Sequence, residues 1–261
     1  MSVSPLRGSG LQDRGVVRIG DTVRRPAGHW RASVHDLLRH LLSIGLEIVP
    51  EPLGIDESGR EILRYLPGRD QGWPFLPEIL TTEGASELGR LATRLREAMA
   101  TYPCPAEARW HSRAGAPAPG ESMQHGDLGP WNLLWGLTSA VTGVIDWDLA
   151  EPGDPFYDTG FLAWFTVPLM DDARAQARGF PAPPDRAARL AAFASGAGLD
   201  ASRVLQLGFK TQREFARRVV TRDLEPWPTL RSTASHQAAL SDLEWTRTSL
   251  APQSGPSRRG G

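Results

Sequence analysis

His125-Gly126-Asp127-Leu128-Gly129-Pro130-Trp131-Asn132, followed by Val144-Ile145-Asp146-Trp147-Asp148 and then Gly153-Asp154-Pro155 with Asp158 beyond, decides the fold. Asp127 and Asn132 stand five residues apart around Gly129-Pro130, a spacing that a tight loop can use to aim two polar side chains into one cleft. Asp146 ends a short apolar run nineteen residues after Asp127. Phosphoryl transfer requires a carboxylate to orient and deprotonate the acceptor hydroxyl. It also requires oxygen ligands for Mg²⁺ and positive groups to steady the phosphates. Asp127, Asn132 and Asp146 fit the first two needs.

The neighbouring residues have plainer readings. Asp148 and Asp154 read as turn formers, and Asp171-Asp172 as the start of a helix. Trp131, Trp135, Trp147 and Trp164 read as core, and His125 taken alone as a hydrogen-bonded core histidine.

The charges around this stretch are uneven. From Glu121 to Asp172 there are nine acidic residues and no lysine or arginine. Because the segment is also rich in Trp, Leu, Val, Ile and Phe, much of it should be buried. Buried acids without basic sequence neighbours point to a hard cation or a cationic ligand. The first 40 residues run the other way, with seven arginines against Asp13, Asp21 and Asp36. Over 261 residues the charges cancel to −1, which argues against a nucleic-acid partner. No run reaches 18 apolar residues, so no membrane span is expected. Cys104 is the single cysteine, leaving neither an internal disulfide nor a cysteine-rich metal site. The start lacks a signal-peptide pattern, and a cytoplasmic, monomeric protein is expected.

Hydrophobic periodicity fills in the rest. Residues 1–14 and 251–261 read as disordered tails. Residues 15–66 form a reduced, β-rich first lobe. Its hairpin, 16–25, turns at Gly20-Asp21; a helix covers 29–44; strands cover 51–55 and 61–66. Pro67-Gly68 reads as a hinge into a helical second lobe, 67–250, with helices at 82–99, 156–168, 184–196, 201–220 and 232–248. Short strands are expected at 131–135 and 141–147, and a surface excursion at 103–119.

Read together, H-G-D-x-x-x-x-N, I-D-W-D and G-D-P-x-x-D resemble the aminoglycoside phosphotransferase family of kinase-like small-molecule phosphotransferases. The D-x-x-x-x-N spacing with a later metal-binding Asp is also that of protein kinases. The resemblance is strongest over 121–165 and implies an α+β, bilobal protein-kinase-like fold that uses ATP and Mg²⁺ to phosphorylate a small-molecule hydroxyl. It implies Asp127 as catalytic base and Asn132 and Asp146 as Mg²⁺ ligands. His125 and Asp158 would brace the loop, and the backbone of Arg64, Tyr65 and Leu66 would meet the adenine.

The sequence departs from that family in the first lobe. Of the 29 basic residues only Lys210 is lysine, and it lies far along the chain. Where the family carries a strand lysine this chain reads Thr22-Val23-Arg24-Arg25-Pro26, so Arg24 or Arg25 must serve. The two alternate faces, and one can point inward. Arginine grips phosphate with a planar fork, so the exchange is not conservative. The next helix offers Asp36 as a partner for that arginine. Gly8-Ser9-Gly10 is a fragment of a glycine-rich loop. These departures leave an alternative, a pseudokinase-like nucleotide- or ligand-binding module without efficient transfer. A metal-dependent hydrolase would want histidine ligands, and only His125 lies in the acidic segment.

Overall fold

The computed structural model describes residues 3–5, 15–70, 74–138 and 140–250. Strands β1 (Val3–Pro5), β2 (Val17–Ile19), β3 (Thr22–Arg25), β4 (Pro52–Ile55) and β5 (Glu61–Arg64) form an antiparallel sheet in the order β1-β2-β3-β5-β4. The β2–β3 hairpin turns at Gly20-Asp21 as read, with Ile19 opposite Thr22. The β4–β5 hairpin closes on Asp56, whose carboxylate accepts the amides of Ser58 and Arg60 at 2.9 and 3.0 Å.

The lobe has one strand more than the sequence predicts. Val3–Pro5 lies in the stretch expected to be a tail, yet Val3 pairs with Ile19 and Pro5 with Val17. Three residues ending in proline carry almost no strand pattern, but an edge position tolerates proline. The remainder of 1–14, Gly8-Ser9-Gly10 included, and the tail 251–261 lie outside the described residues.

Helix α1 (Arg31–Ser43) backs the sheet; of the stripe its periodicity predicts, Val34, Leu37, Leu38 and Leu41 are buried and Leu42 is half-buried. After Pro67-Gly68 the chain runs along the second lobe, where Arg69 pairs with Trp135 through both backbone groups.

Helix α2 (Thr82–Ala100) starts on Thr81, whose hydroxyl accepts the Gly84 amide at 3.0 Å. It buries Leu88, Leu91, Ala92, Leu95 and Met99 against α5 (Arg186–Ala197) and α3 (Tyr157–Thr166). Every residue of α3 is buried, as an apolar-all-round helix must be. Two small ribbons complete the lobe: β6 (Ser122–Gln124) with β9 (Glu151–Gly153), and β7 (Leu133–Trp135) with β8 (Val141–Val144), with β6 packed against α2. Residues 131–132, expected in a strand, belong instead to a 3₁₀ turn opened by Pro130.

The other helices are α4 (Asp172–Ala177), capped by Asp171 as read, α6 (Ala201–Thr221), α7 (Trp227–Ser232) and α8 (Ala234–Ser249). Helix α7 was not among the expected helices; Pro226 and Pro228 lie at its start, where a first turn accepts proline.

Candidate active site

The loop between β6 and β7 is held from beneath by Asp158, the second residue of α3. Its carboxylate accepts the His125 amide at 2.6 Å and the Gly126 amide at 3.0 Å. Burial raises the Asp158 pKa, while the neighbouring His125 and these two amides oppose the rise. His125 is fully buried. Its Nδ1 lies 3.3 Å from the Asp127 amide and its Nε2 3.0 Å from the Ile145 carbonyl. Those two partners fit the neutral ring with the proton on Nε2, and burial holds its pKa down. His125 thus ties the Asp127 loop to the strand end that carries Asp146.

Asp127 is half-buried. Its Oδ2 accepts from Asn132 Nδ2 at 2.9 Å and from Trp131 Nε1 at 3.2 Å. Asn132 also donates to the Asp127 carbonyl at 2.8 Å. The 3₁₀ turn at Pro130–Asn132 brings the two side chains together. Burial, and then the Asp146 charge, push the Asp127 pKa up to about 7, against the two hydrogen bonds. Trp131 packs on Phe161 and Phe165 and also touches the site, beyond its reading as core.

Asp146 follows β8 with φ 63° and ψ 63°, the one non-glycine residue at positive φ among those described. Such strain concentrates at functional sites. Asp146 Oδ1 accepts from Arg25 Nη1 at 2.8 Å, and Asp148 Oδ1 from Arg25 Nη2 at 2.7 Å. Arg25 Nε donates to Glu61 Oε1 at 2.5 Å, and Glu61 Oε2 lies 2.8 Å from His35 Nε2. Of the two strand arginines, Arg25 therefore faces the cleft. Arg24 reaches Asp56 at 3.5 Å on the other face.

Burial by itself would lower the Arg25 pKa, but Asp148, Asp146 and Glu61 outweigh it and raise it. Burial would raise Glu61; His35 and Arg25 bring it below the usual carboxylate range. Burial lifts Asp148 to about 6 despite Arg25.

Asp36 is not the arginine's partner. It accepts the Tyr102 hydroxyl at 2.7 Å, and Glu61 takes the role because β3–β5 pairing sets it directly opposite Arg25. Asp148, read as a turn former, lies in the 3₁₀ turn Trp147–Leu149 and also pairs with Arg25. Its signal was the second Asp of Ile145-Asp146-Trp147-Asp148; Glu61 and His35 had none. Lys210 pairs with Asp154 in the second lobe, away from the arginines.

In the hinge segment, Arg64 and Tyr65 spend their amides on the carbonyls of Glu51 and Asp21, both at 2.8 Å. The Arg64 side chain pairs outward with Asp21 and Glu51. Leu66 follows directly. Among the described residues no group of three or more His, Cys, Asp or Glu is arranged to hold a metal.

The model of the phosphotransferase enzyme family matches residues 17–192. The chain belongs to the phosphotransferase enzyme family. The chain is 32% identical over 190 residues to the trifolitoxin immunity protein of Rhizobium leguminosarum bv. trifolii, covering 70% of each chain.

Its fold is shared with a choline/ethanolamine kinase family protein of Mesorhizobium loti (TM-score 0.58, 15% identity, covering 96% of this chain and 89% of that one). Macrolide 2′-phosphotransferase MphH of Brachybacterium faecium is similar as well (0.53, 20%, 93% and 92%). So is amicoumacin kinase hAmiN, solved with AMP-PNP, Ca²⁺ and its ligand (0.56, 12%, 95% and 88%). The kinase-like bilobal fold read from the sequence is the fold of these proteins.

Proposed function

We propose that this phosphotransferase moves the γ-phosphoryl group of ATP, with Mg²⁺, onto a hydroxyl of a small molecule. The observation that carries this reading is Asp127. Two donors fix its Oδ2, leaving Oδ1 to receive the acceptor proton, and its raised pKa suits a base working near neutral pH.

The oxygen donors fit a hard cation. Asn132 commits its nitrogen to Asp127, which leaves its oxygen as a ligand, and Asp146 is half-exposed. Mg²⁺ is commonly held by one or two protein groups together with substrate phosphates, so these two suffice. When bound it would neutralise phosphate charge. Arg25 is the cation placed for the nucleotide phosphates. The adenine would meet the hinge at Leu66, since the Arg64 and Tyr65 amides are spent.

The immunity-protein relative supports a toxin or antibiotic as the acceptor. One observation favours the second reading, a binding module without transfer: Arg25 is engaged by three carboxylates.

Melting curves and turnover separate the two readings. ATP with Mg²⁺ should raise the melting temperature. Asp127→Ala should keep that shift and lose at least about a hundredfold in turnover with a hydroxylated acceptor. Arg25→Ala should weaken ATP binding by about 1–3 kcal/mol, and Arg24→Ala should leave it unchanged. No thermal shift at millimolar ATP·Mg²⁺ overturns both nucleotide readings. A shift with equal turnover in wild type and Asp127→Ala leaves the binding module.

A further inference from the structure

The described residues place a closed set of polar groups around one guanidinium. Arg25 and Glu61 stand opposite each other on β3 and β5. The Arg25 Nε, Nη1 and Nη2 atoms each find a different carboxylate, on Glu61, Asp146 and Asp148. Glu61 spends its second oxygen on His35 of helix α1. His35 and Glu61 are both nearly sealed from solvent, at 5% and 3% exposure. A buried carboxylate stays in place only when its partners satisfy it, and losing one partner strands the rest.

We propose that Glu61, Asp148 and His35 form a receptor built for arginine at position 25, through which helix α1 positions the phosphate-facing cation. The part of this that concerns nucleotide rests on the function proposed above. A guanidinium has five N–H donors. Two are spent on Glu61 and Asp148 and a third on Asp146, and one remains on each terminal nitrogen for phosphate. Lysine carries its donors on a single nitrogen. That nitrogen cannot stand at hydrogen-bonding distance from three oxygens that Arg25 reaches with three different atoms. The family's usual lysine is therefore the wrong side chain for this pocket. His35 and Glu61 are positioning residues, since they reach the site only through Arg25.

The test begins on the nucleotide-free protein, by chemical denaturation of Arg25→Lys, Arg25→Met, His35→Leu, His35→Gln and the Arg25→Met/His35→Leu double variant. Arg25→Lys should destabilise as much as Arg25→Met. The double variant should lose clearly less than the sum of its single variants, because the two residues act through Glu61. His35→Gln, which can return an N–H toward Glu61, should recover most of the His35→Leu loss. Additive losses, or a lysine variant as stable as wild type, overturn the receptor.

Calorimetry and kinetics with ATP follow. Arg25→Lys should bind ATP at least about tenfold more weakly. His35→Leu should raise KM for ATP more than it lowers kcat, and His35→Gln should reverse the KM change. A His35→Leu variant with reduced stability and wild-type ATP affinity reduces His35 to a structural residue and overturns the positioning role. If wild type binds no ATP, the proposed function fails, and the denaturation cycle still decides the receptor.

Discussion

Gly126 shows how narrowly the Asp127 loop is built. Its φ is +85°, and a Cβ there would stand 2.2 Å from the Leu149 carbonyl oxygen. Its amide is one of the two that Asp158 holds. Gly198 shares the left-handed conformation, φ +63°, but has nothing within 4 Å of a Cβ. The left-handed penalty alone is about 1–2 kcal/mol. Gly198→Ala should cost no more than that in urea denaturation. Gly126→Ala should cost about 3 kcal/mol or more, since backbone must move as well, and should abolish turnover. Equal costs would mean that the Leu149 carbonyl gives way freely. At this scale the second-lobe site was legible: His125, Asp127, Asn132 and Asp146 follow one another in a short span, and their order alone brings them together. The Arg25 receptor was not. Glu61 is 36 residues from Arg25 and meets it only through non-local strand pairing.

Among the elements, α5 carries a residue that no motif reveals. Arg189 is 3% exposed. Its Nη2 donates to the Ile79 carbonyl at 2.6 Å, its Nη1 to Leu80 and Thr81 at 2.6 and 3.0 Å, and its Nε to Thr166 at 2.6 Å. The Ile79, Leu80 and Thr166 carbonyls end the 3₁₀ helix Pro77–Leu80 and helix α3, where no further intrahelical donors remain, while the Thr81 carbonyl also takes the Ala85 amide at 3.1 Å. The cation thus caps two helix ends, where partial negative charge collects. Burial lowers its pKa to about 10. Arg189→Met keeps the bulk and strands the Ile79, Leu80 and Thr166 carbonyls. It should lose about 3 kcal/mol or more, read as a fall in the urea midpoint at unchanged slope, and Arg189→Lys should recover only part. A Met variant within about 1 kcal/mol of wild type would show that water replaces the cap. Long amphipathic helices such as α2 were legible because one buried stripe sets their period. Strand β1 and helix α7 were not, since three-residue pairing and proline-rich turns leave no period to read.

Across the whole molecule, stability at different pH sums groups that pull in opposite directions. Burial lowers the pKa of His125 and His111, so both lose stability as the pH falls. Asp242 pulls the other way. It anchors α8, accepting from Trp164 Nε1 at 3.0 Å and from Arg174, and it is fully buried. Burial lifts its pKa from 3.8 to about 6, although Arg174 opposes this. The folded state therefore holds this proton more tightly than the unfolded chain. Below pH 4 both states are protonated and the group contributes nothing. As the pH climbs from 4 to 6 the unfolded chain ionises first and stability falls; above 6 the loss is complete, about 3 kcal/mol. Asp242→Asn keeps an oxygen for Trp164 and removes the titration. Its stability relative to wild type should rise between pH 4 and pH 7, which isolates Asp242 from the histidines common to both proteins. A difference that stays constant, or that favours wild type more as the pH rises, would mean that the Arg174 ion pair outweighs burial. Helix α8 would then be held by charge rather than by a neutral carboxyl.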